Sequence, residues 1–191
     1  MRKTRPFGAG WRLVANRKFY PKQRASEFVR IALVSALNAT IATDFTRYYR
    51  EAAKKVHTLV EPLTDEQVWT RPYPYGNSIG HLLLHLTGNL SYYIAGEIGG
   101  SGYVRNRPLE FTDTARAPKA VLLRMFDGTI EMVAAVVHKQ SERDWATAYT
   151  AKGMEDCGDR FTAFLRCAAH ISHHTGQIIY LCKELERQQH S

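Results

Sequence analysis

Four long segments of the chain carry apolar residues at intervals of three and four positions, and this helical period constrains the fold more than any other feature. The segments are 43–63, 79–98, 118–139 and 160–186. In the first, charged residues such as Arg50 and Lys54 lie on the opposite face, which is typical of an amphipathic helix. Strand-type alternation persists nowhere for more than a few residues. The sequence therefore predicts an all-α fold, a four-helix bundle with two long connections.

Residue types at the expected helix ends agree with this division. Ser78 is an N-cap type directly before the second segment, and Pro118 suits the first turn of the third. The glycine-rich stretch 99–102 ends the second helix, and Thr64 begins a turn after the first. One short helical turn is expected around Trp145 in the last connection.

The charge of the chain is concentrated at its start. Of the formal net charge of +8, residues 1–42 carry all, with nine Lys/Arg and one acid, while residues 43–191 hold 17 of each sign. We therefore interpret 1–42 as a basic, poorly ordered N-terminal extension and 43–191 as the helical domain. A neutral domain has no basic groove for a phosphate backbone, so we expect no nucleic-acid partner.

The extension has other interpretations. Its apolar run 28–42 resembles the core of a targeting peptide, but a basic stretch of about 27 residues before it is longer than usual. The run is shorter than the ~20 apolar residues that span a bilayer, so we expect no membrane partner. An arm that contacts phosphate or membrane surfaces, or an extension from an upstream start codon, are alternatives. Three scattered cysteines without a Cys-x-x-Cys motif indicate free thiols and a cytoplasmic location.

Five of the eight histidines fall in two of the predicted helices. His81 and His85 are four residues apart on the second helix, as are His170 and His174 on the fourth, so each pair shares one helix face. Imidazole is the ligand type that Zn, Ni, Cu and Fe(II) share, and metal sites in bundles are built from facing helices. The two pairs could therefore converge on one ion. The alternative is a set of hydrogen-bonded core histidines, and His173 is expected to face solvent or to hydrogen-bond a neighbour.

Three stretches resemble the DinB/YfiT-like metalloenzyme family. They are NSIGHLLLHLTGN (77–89), AHISHHTGQIIY (169–180) and RNRPLEF (105–111), the last resembling a branch described only as a domain of unknown function. The resemblance covers about residues 43–187. It implies a DinB-like four-helix bundle with long crossover connections, a homodimer, and a three-histidine site for a divalent metal such as Zn or Ni, with Mn or Fe as alternatives.

Position by position, the resemblance places the metal ligands at His85, His170 and His174. His81 stands where relatives usually carry an aromatic or aliphatic residue, and we expect it and Gln177 to contact the ligand imidazoles rather than the ion. In the branch loop an acidic residue often follows the second arginine, but this chain has Pro108 there.

Three imidazole ligands leave an ion with open positions, as in catalytic sites. The resemblance implies a metal-dependent transferase that acts with a low-molecular-weight thiol, with Asn89 and Tyr92 as candidate substrate contacts. A metal-dependent hydrolase is the alternative enzyme, but the nearest carboxylate along the second helix, Glu97, is poorly placed to serve as its base. A non-catalytic helical dimer with a structural metal is the remaining alternative.

Two further features carry weaker expectations. Arg105 and Arg107 could meet a substrate carboxylate, although a solvated loop is favoured for both. Cys167 lies one turn before His170 and is either a fourth ligand or, as is commoner for such a residue, part of the core.

Overall fold

The computed structural model describes the backbone of residues 22–190 and the side chains of residues 36–190, and this part of the chain is mostly helical. The helical elements, in chain order, are α1 (Lys22–Val60), α2 (Asp65–Trp69), α3 (Ile79–Leu90), a π-helical segment (Ser91–Gly96), α4 (Leu109–Thr112), α5 (Lys119–His138), α6 (Glu142–Trp145) and α7 (Arg160–Gln189). Two strands of two residues each, β1 (Ala148–Tyr149) and β2 (Gly158–Asp159), pair in antiparallel orientation. The predicted all-α class is confirmed.

The four long helices enclose one apolar core. Helix α1 packs against α5 and α7, and α3 packs against the same two helices. Each helix places a large, fully buried side chain between them: Tyr49, Leu86, Phe126 and Phe164. Burying a side chain of this size stabilises the fold by about 1.5–3 kcal/mol. The Tyr49 hydroxyl donates to the Phe164 carbonyl oxygen at 2.7 Å, so the polar end of this ring is also satisfied.

Helix α3 lies in the middle of the molecule. Eleven of its 12 residues are buried, and only Leu84 is partly exposed. Its start is fixed by Ser78, whose hydroxyl accepts from the backbone N–H of His81 at 3.2 Å. A helix that is buried all round leaves no solvated face. Any polar side chain on α3 therefore needs a partner inside the protein.

Helix α1 begins well before the predicted start at Thr43. Ala42 belongs to the buried core, and the Asn38 side-chain oxygen accepts from the Trp145 indole N–H at 2.6 Å. These contacts hold the upstream turns against α6, although their sequence carries little helical period. Residues 1–21 of the predicted extension lie outside the described residues, so the division at residue 42 stays a prediction.

The remaining boundaries differ from the predicted ones in small ways. The predicted helix over 79–98 is α3 followed by the π-helical segment, in which the Tyr93 carbonyl accepts from the Tyr149 hydroxyl at 3.0 Å. Pro118 is the N-cap of α5 rather than its first residue. The turn predicted around Trp145 is α6. No helix in the described part of the chain has the length and apolar character needed to cross a membrane.

Candidate metal centre

Three histidines from two helices meet at one point inside the bundle. The His170 Nε2 atom lies 2.9 Å from His85 Nε2 and 3.1 Å from His174 Nε2. The three possible ligand atoms lie within 4.8 Å of one another. Two imidazole nitrogens bound to one ion at ~2.0–2.1 Å are about 3 Å apart. Helix α3 and one turn of α7 therefore place three histidines where they could hold a single metal ion.

Glu110 fixes the tautomer of His85. The carboxylate Oε2 lies 2.7 Å from His85 Nδ1. Burial alone would raise the pKa of Glu110, but the hydrogen bonds from His85 and Arg105 and the charge of Arg105 together lower this pKa. An ionised carboxylate can only accept, so Nδ1 carries the proton and donates. The Nε2 lone pair of His85 is therefore directed at the other two histidines.

Gln177 has the same effect on His174. Its side-chain oxygen Oε1 lies 2.7 Å from His174 Nδ1, and an amide oxygen only accepts. The amide nitrogen of Gln177 lies 3.4 Å from Nε2 of His173, which is exposed as expected. Gln177 thus contacts the imidazole of His174, and its predicted role beside a metal ligand stays a prediction.

Glu110 is itself held by a buried ion pair. Arg105 Nε donates to Oε1 at 2.6 Å and Arg105 Nη2 donates to Oε2 at 2.8 Å. The two side chains are 8% and 7% exposed. The expectation that Arg105 is solvated is therefore wrong, because its guanidinium neutralises a carboxylate inside the protein. Arg107 is exposed, as expected, and lies over the ring of Phe111 at 5.4 Å.

The carboxylate of Glu110 reaches α3 only because α3 has a glycine at the contact. A Cβ atom on Gly88 would lie 2.9 Å from the Glu110 Cδ and closer still to its Oε1, well inside van der Waals distance. The short helix α4 therefore packs its carboxylate directly on the backbone of α3, one turn after His85.

The imidazoles of His170 and His174 are neutral at pH 7. Burial, reinforced by the neighbouring histidines, lowers the pKa of His170 to about 3. Burial likewise lowers the pKa of His174 to about 4, against a smaller opposing effect of the Gln177 hydrogen bond. Neutral imidazole is the form that binds metal ions. His170 and His174 are therefore in the right protonation state to act as ligands.

An open cleft of about 890 Å³ reaches the histidines. His85 and His170 line it, and so do both predicted substrate contacts, Asn89 and Tyr92. The side-chain oxygen of Asn89 is buried and has no hydrogen-bond partner among the described residues. Such an unpaired acceptor costs about 1–3 kcal/mol, so the site is not complete without a donor. The volume is in the range of small-molecule sites.

His81 lies in a different pocket. Its Nδ1 atom is 2.6 Å from the Ser78 hydroxyl, its Nε2 atom is 3.5 Å from Arg71 Nη2, and its ring stands edge-on to Trp69. This pocket, of about 420 Å³, is lined by α2 and the chain after α4. None of these contacts is with the three converging histidines, so the predicted contact of His81 with a ligand imidazole stays a prediction.

Cys167 is fully buried, and burial raises the pKa of its thiol to about 12. The group of potential ligands found in the described part of the chain contains the three histidines and no cysteine. Its placement matches the core interpretation.

Comparison with known proteins identifies the family. The family described as "Protein of unknown function (DUF1572)" matches residues 36–191. The chain belongs to the DUF1572 family. The match includes the three histidines, Glu110 and Arg105. No curated protein matches the chain.

Among the solved structures that match this DUF1572 protein in fold is one from Enterococcus faecalis. It is described as the crystal structure of the conserved protein of locus from Enterococcus faecalis. The TM-score is 0.62 at 13% sequence identity, over 75% of the present chain and 96% of that chain. At this identity the similarity shows a shared helical fold alone.

Sequence reasoning missed Glu110 in this DUF1572 protein. A search for carboxylates along the second predicted helix finds Glu97, whereas Glu110 comes from the connection after that helix. Pro108 occupies the position directly after Arg107, where an acidic residue is expected, and Glu110 follows two positions further on. An acid between two apolar residues, as in Leu-Glu-Phe, was the available signal.

Proposed function

We propose that this DUF1572 protein is a metal-dependent enzyme with a DinB-like four-helix bundle, acting as a transferase with a low-molecular-weight thiol. Its metal ligands are His85, His170 and His174. One observation carries the proposal. In the described part of the chain no fourth His, Cys, Asp or Glu joins the three histidines, and two of them line an open cleft. A catalytic site keeps such open positions, while a structural zinc site is closed by a fourth protein ligand.

The donor set supports a divalent ion of intermediate softness. Three neutral imidazoles suit Zn or Ni, and Mn or Fe are the other candidates from the resemblance. The Nδ1–H groups of His85 and His174 donate hydrogen bonds to Glu110 and Gln177. These bonds fix the orientation and tautomer of both rings and leave the Nε2 lone pairs for an ion. When bound, a divalent ion at this site supplies Lewis acidity that favours the thiolate form of a thiol.

The protein residues have distinct parts in this function. Glu110 and Gln177 orient the ligand rings and hold their protons on Nδ1. Phe111 packs on the His85 ring, with the two ring centres 4.8 Å apart, and keeps water from that side. Asn89 and Tyr92 line the cleft and contact the substrate.

The alternative functions are less well supported. A hydrolase needs a carboxylate free to take a proton from water, but both oxygens of Glu110 already accept hydrogen bonds from Arg105 and His85. A closed structural site would need a further ligand. The homodimer implied by the family resemblance is part of the proposal.

The test is whether the metal takes a thiol as an exchangeable ligand. Protein reconstituted with Co²⁺ is titrated with 2-mercaptoethanol while the near-ultraviolet spectrum is recorded. We expect a sulfur-to-cobalt charge-transfer band in the wild type and in His173→Ala, and no band in His170→Ala. Thiol-dependent transfer to an electrophilic acceptor is then measured on the zinc form. A cobalt spectrum that thiol leaves unchanged would contradict the proposal.

A further inference from the structure

Positive charge predominates on the walls of the cleft beside the histidines. Four cationic side chains line it, Arg105, Arg107, Lys152 and Arg166, against the single acidic side chain of Glu97. A cleft with low-dielectric walls and one sign of charge concentrates ligands of the opposite sign.

Two of these cations form no ion pair with a carboxylate in the described part of the chain. Arg105 is neutralised by Glu110, and Arg166 pairs with Asp156 at 2.8 Å. Among residues 36–190, no acidic side chain lies within ion-pair distance of Arg107 or Lys152. Their charges are therefore available to a ligand.

Both cations are placed by contacts with residues that line the cleft or pack on His85. Arg107 lies 5.4 Å above the Phe111 ring, which itself packs on His85. The backbone of Lys152 is held by Tyr93, whose hydroxyl donates to the Lys152 carbonyl at 3.1 Å. The chain thus presents both cations on the cleft that the histidines share.

A second feature of the cleft is independent of charge. Asn89 is only 6% exposed and lines the cleft, and within the part of the chain that the structure describes its Oδ1 atom has no hydrogen-bond donor. A buried acceptor of this kind is satisfied in most proteins. A molecule bound in the cleft could supply the hydrogen-bond donor that Asn89 Oδ1 lacks.

We propose that the cleft binds a small carboxylate-bearing molecule, with the carboxylate against Arg107 and Lys152 and an N–H or O–H donor of the same molecule against Asn89. This inference deepens the proposed function. Only the identity of one substrate as a thiol rests on that function. The carboxylate belongs either to the thiol or to the second substrate. A volume of about 890 Å³ fits a small molecule rather than a macromolecule.

The role of the Arg107 and Lys152 charges in carboxylate binding is tested by calorimetric titration of the metal-loaded protein. Three probes are used: 3-mercaptopropionate, propionate and 2-mercaptoethanol. The first carries thiol and carboxylate, the second only the carboxylate, and the third only the thiol. The variant is Arg107→Gln/Lys152→Gln. The control, Lys54→Gln/Arg124→Gln, removes the same two charges from exposed positions of α1 and α5 outside the cleft.

We expect the cleft variant to bind 3-mercaptopropionate and propionate about three- to tenfold more weakly than the wild type, which is the effect expected for exposed charge pairs. Its affinity for 2-mercaptoethanol should be unchanged. The control binds all three like the wild type. A carboxylate carried by the thiol shows as 3-mercaptopropionate binding far better than either other probe. If the carboxylate belongs to a second substrate, propionate and 2-mercaptoethanol should bind to the protein at the same time.

The Asn89 contact is tested with N-acetylcysteine, which adds an amide N–H to a thiol and a carboxylate. Asn89→Leu should lower the affinity for N-acetylcysteine about threefold or more and leave the affinity for 3-mercaptopropionate unchanged. Only N-acetylcysteine offers an amide N–H to Asn89.

Two results would overturn the inference. One is a cleft variant that binds the carboxylates as well as the control does, and the other is a wild type that binds neither carboxylate measurably. Metal content is measured on the same samples, and propionate contains no thiol. Loss of metal would therefore count against the proposed function, while retained metal without carboxylate binding would count against this inference alone.

Discussion

At the scale of single residues, the contact between His85 and Glu110 distinguishes a ligand from an ordinary core histidine. A buried histidine needs hydrogen-bond partners, and Glu110 satisfies Nδ1 while leaving Nε2 facing two further imidazoles. With their protons on Nδ1, His85 and His174 have no donor at Nε2, so His170 Nε2 is the one atom of the three that could carry a proton for the others. A shared cation would satisfy all three lone pairs at once.

Replacing Glu110 tests this contact. Glu110→Gln keeps the size of the side chain but removes the charge that holds the His85 proton. We expect it to weaken Zn²⁺ binding about 10–100-fold, the usual effect of losing such a partner. Competition with a chromophoric chelator measures the affinity. Glu97→Gln, an exposed acid on the same cleft, is the matched control and should bind like the wild type. Equal affinity in both variants would contradict the assigned role.

The low pKa values of His170 and His174 predict acid sensitivity of the metal-free protein. Both are below the unfolded value of about 6.5, so between roughly pH 6.5 and 4 the unfolded chain binds protons that the folded chain does not. The free energy of unfolding therefore falls as the pH falls through this window, by roughly 3 kcal/mol after allowance for solvent screening.

Urea unfolding of the metal-free protein at several pH values checks this dependence. His170→Gln/His174→Gln removes both groups and should lose less stability between pH 6.5 and 4 than the wild type. The same pH slope in both proteins would mean that other groups cause the acid sensitivity.

The sequence predicts the three histidines that converge, but not the residues that hold them in place. His170 and His174 share a face because the helical period alone dictates it, and the family resemblance selects His85 from its pair. Glu110 and Arg105 are brought to His85 by the path of a connection, which no local pattern specifies.

At the scale of elements, α4 is the short helix that completes the centre. It has only four residues, so its position depends on contacts rather than on its own helix propensity. The buried pair of Glu110 with Arg105 and the close approach at Gly88 attach it to α3.

Filling the gap at Gly88 should displace α4. Gly88→Ala introduces a Cβ that overlaps Glu110, so we expect a loss of about 1–3 kcal/mol in stability, together with weaker Zn²⁺ binding. Gly128→Ala, in the middle of α5, meets nothing within 4 Å and should raise stability by about 0.5–1 kcal/mol with unchanged Zn²⁺ binding. Thermal or urea unfolding and chelator competition measure both effects. A Gly88→Ala protein that retains wild-type affinity would show that the close approach is not needed.

Element prediction succeeds where the apolar period is strong and fails where tertiary contacts decide. Helices α5 and α7 lie within a few residues of their predicted bounds. The start of α1 is missed because its upstream turns are held by Asn38 and Trp145, a contact between residues more than 100 positions apart.

At the scale of the whole molecule, the packing of four long helices brings together histidines from α3 and α7. The proposed homodimer is tested at this scale. Light scattering on the eluting protein should give twice the chain mass of 21.7 kDa. A single-chain mass across the accessible concentration range would contradict the dimer without affecting the metal site.

The central claim is that this chain holds one divalent ion on His85, His170 and His174. The most direct measurement is the metal content of untagged protein by mass spectrometry, for the wild type, His170→Ala and His173→Ala. His173 is adjacent to a proposed ligand but exposed, so it controls for loss of a histidine as such. We predict about one ion per chain in the wild type and in His173→Ala, and loss of the ion in His170→Ala. Wild-type protein that remains metal-free after reconstitution, or a His170→Ala variant that retains its ion, would contradict the account.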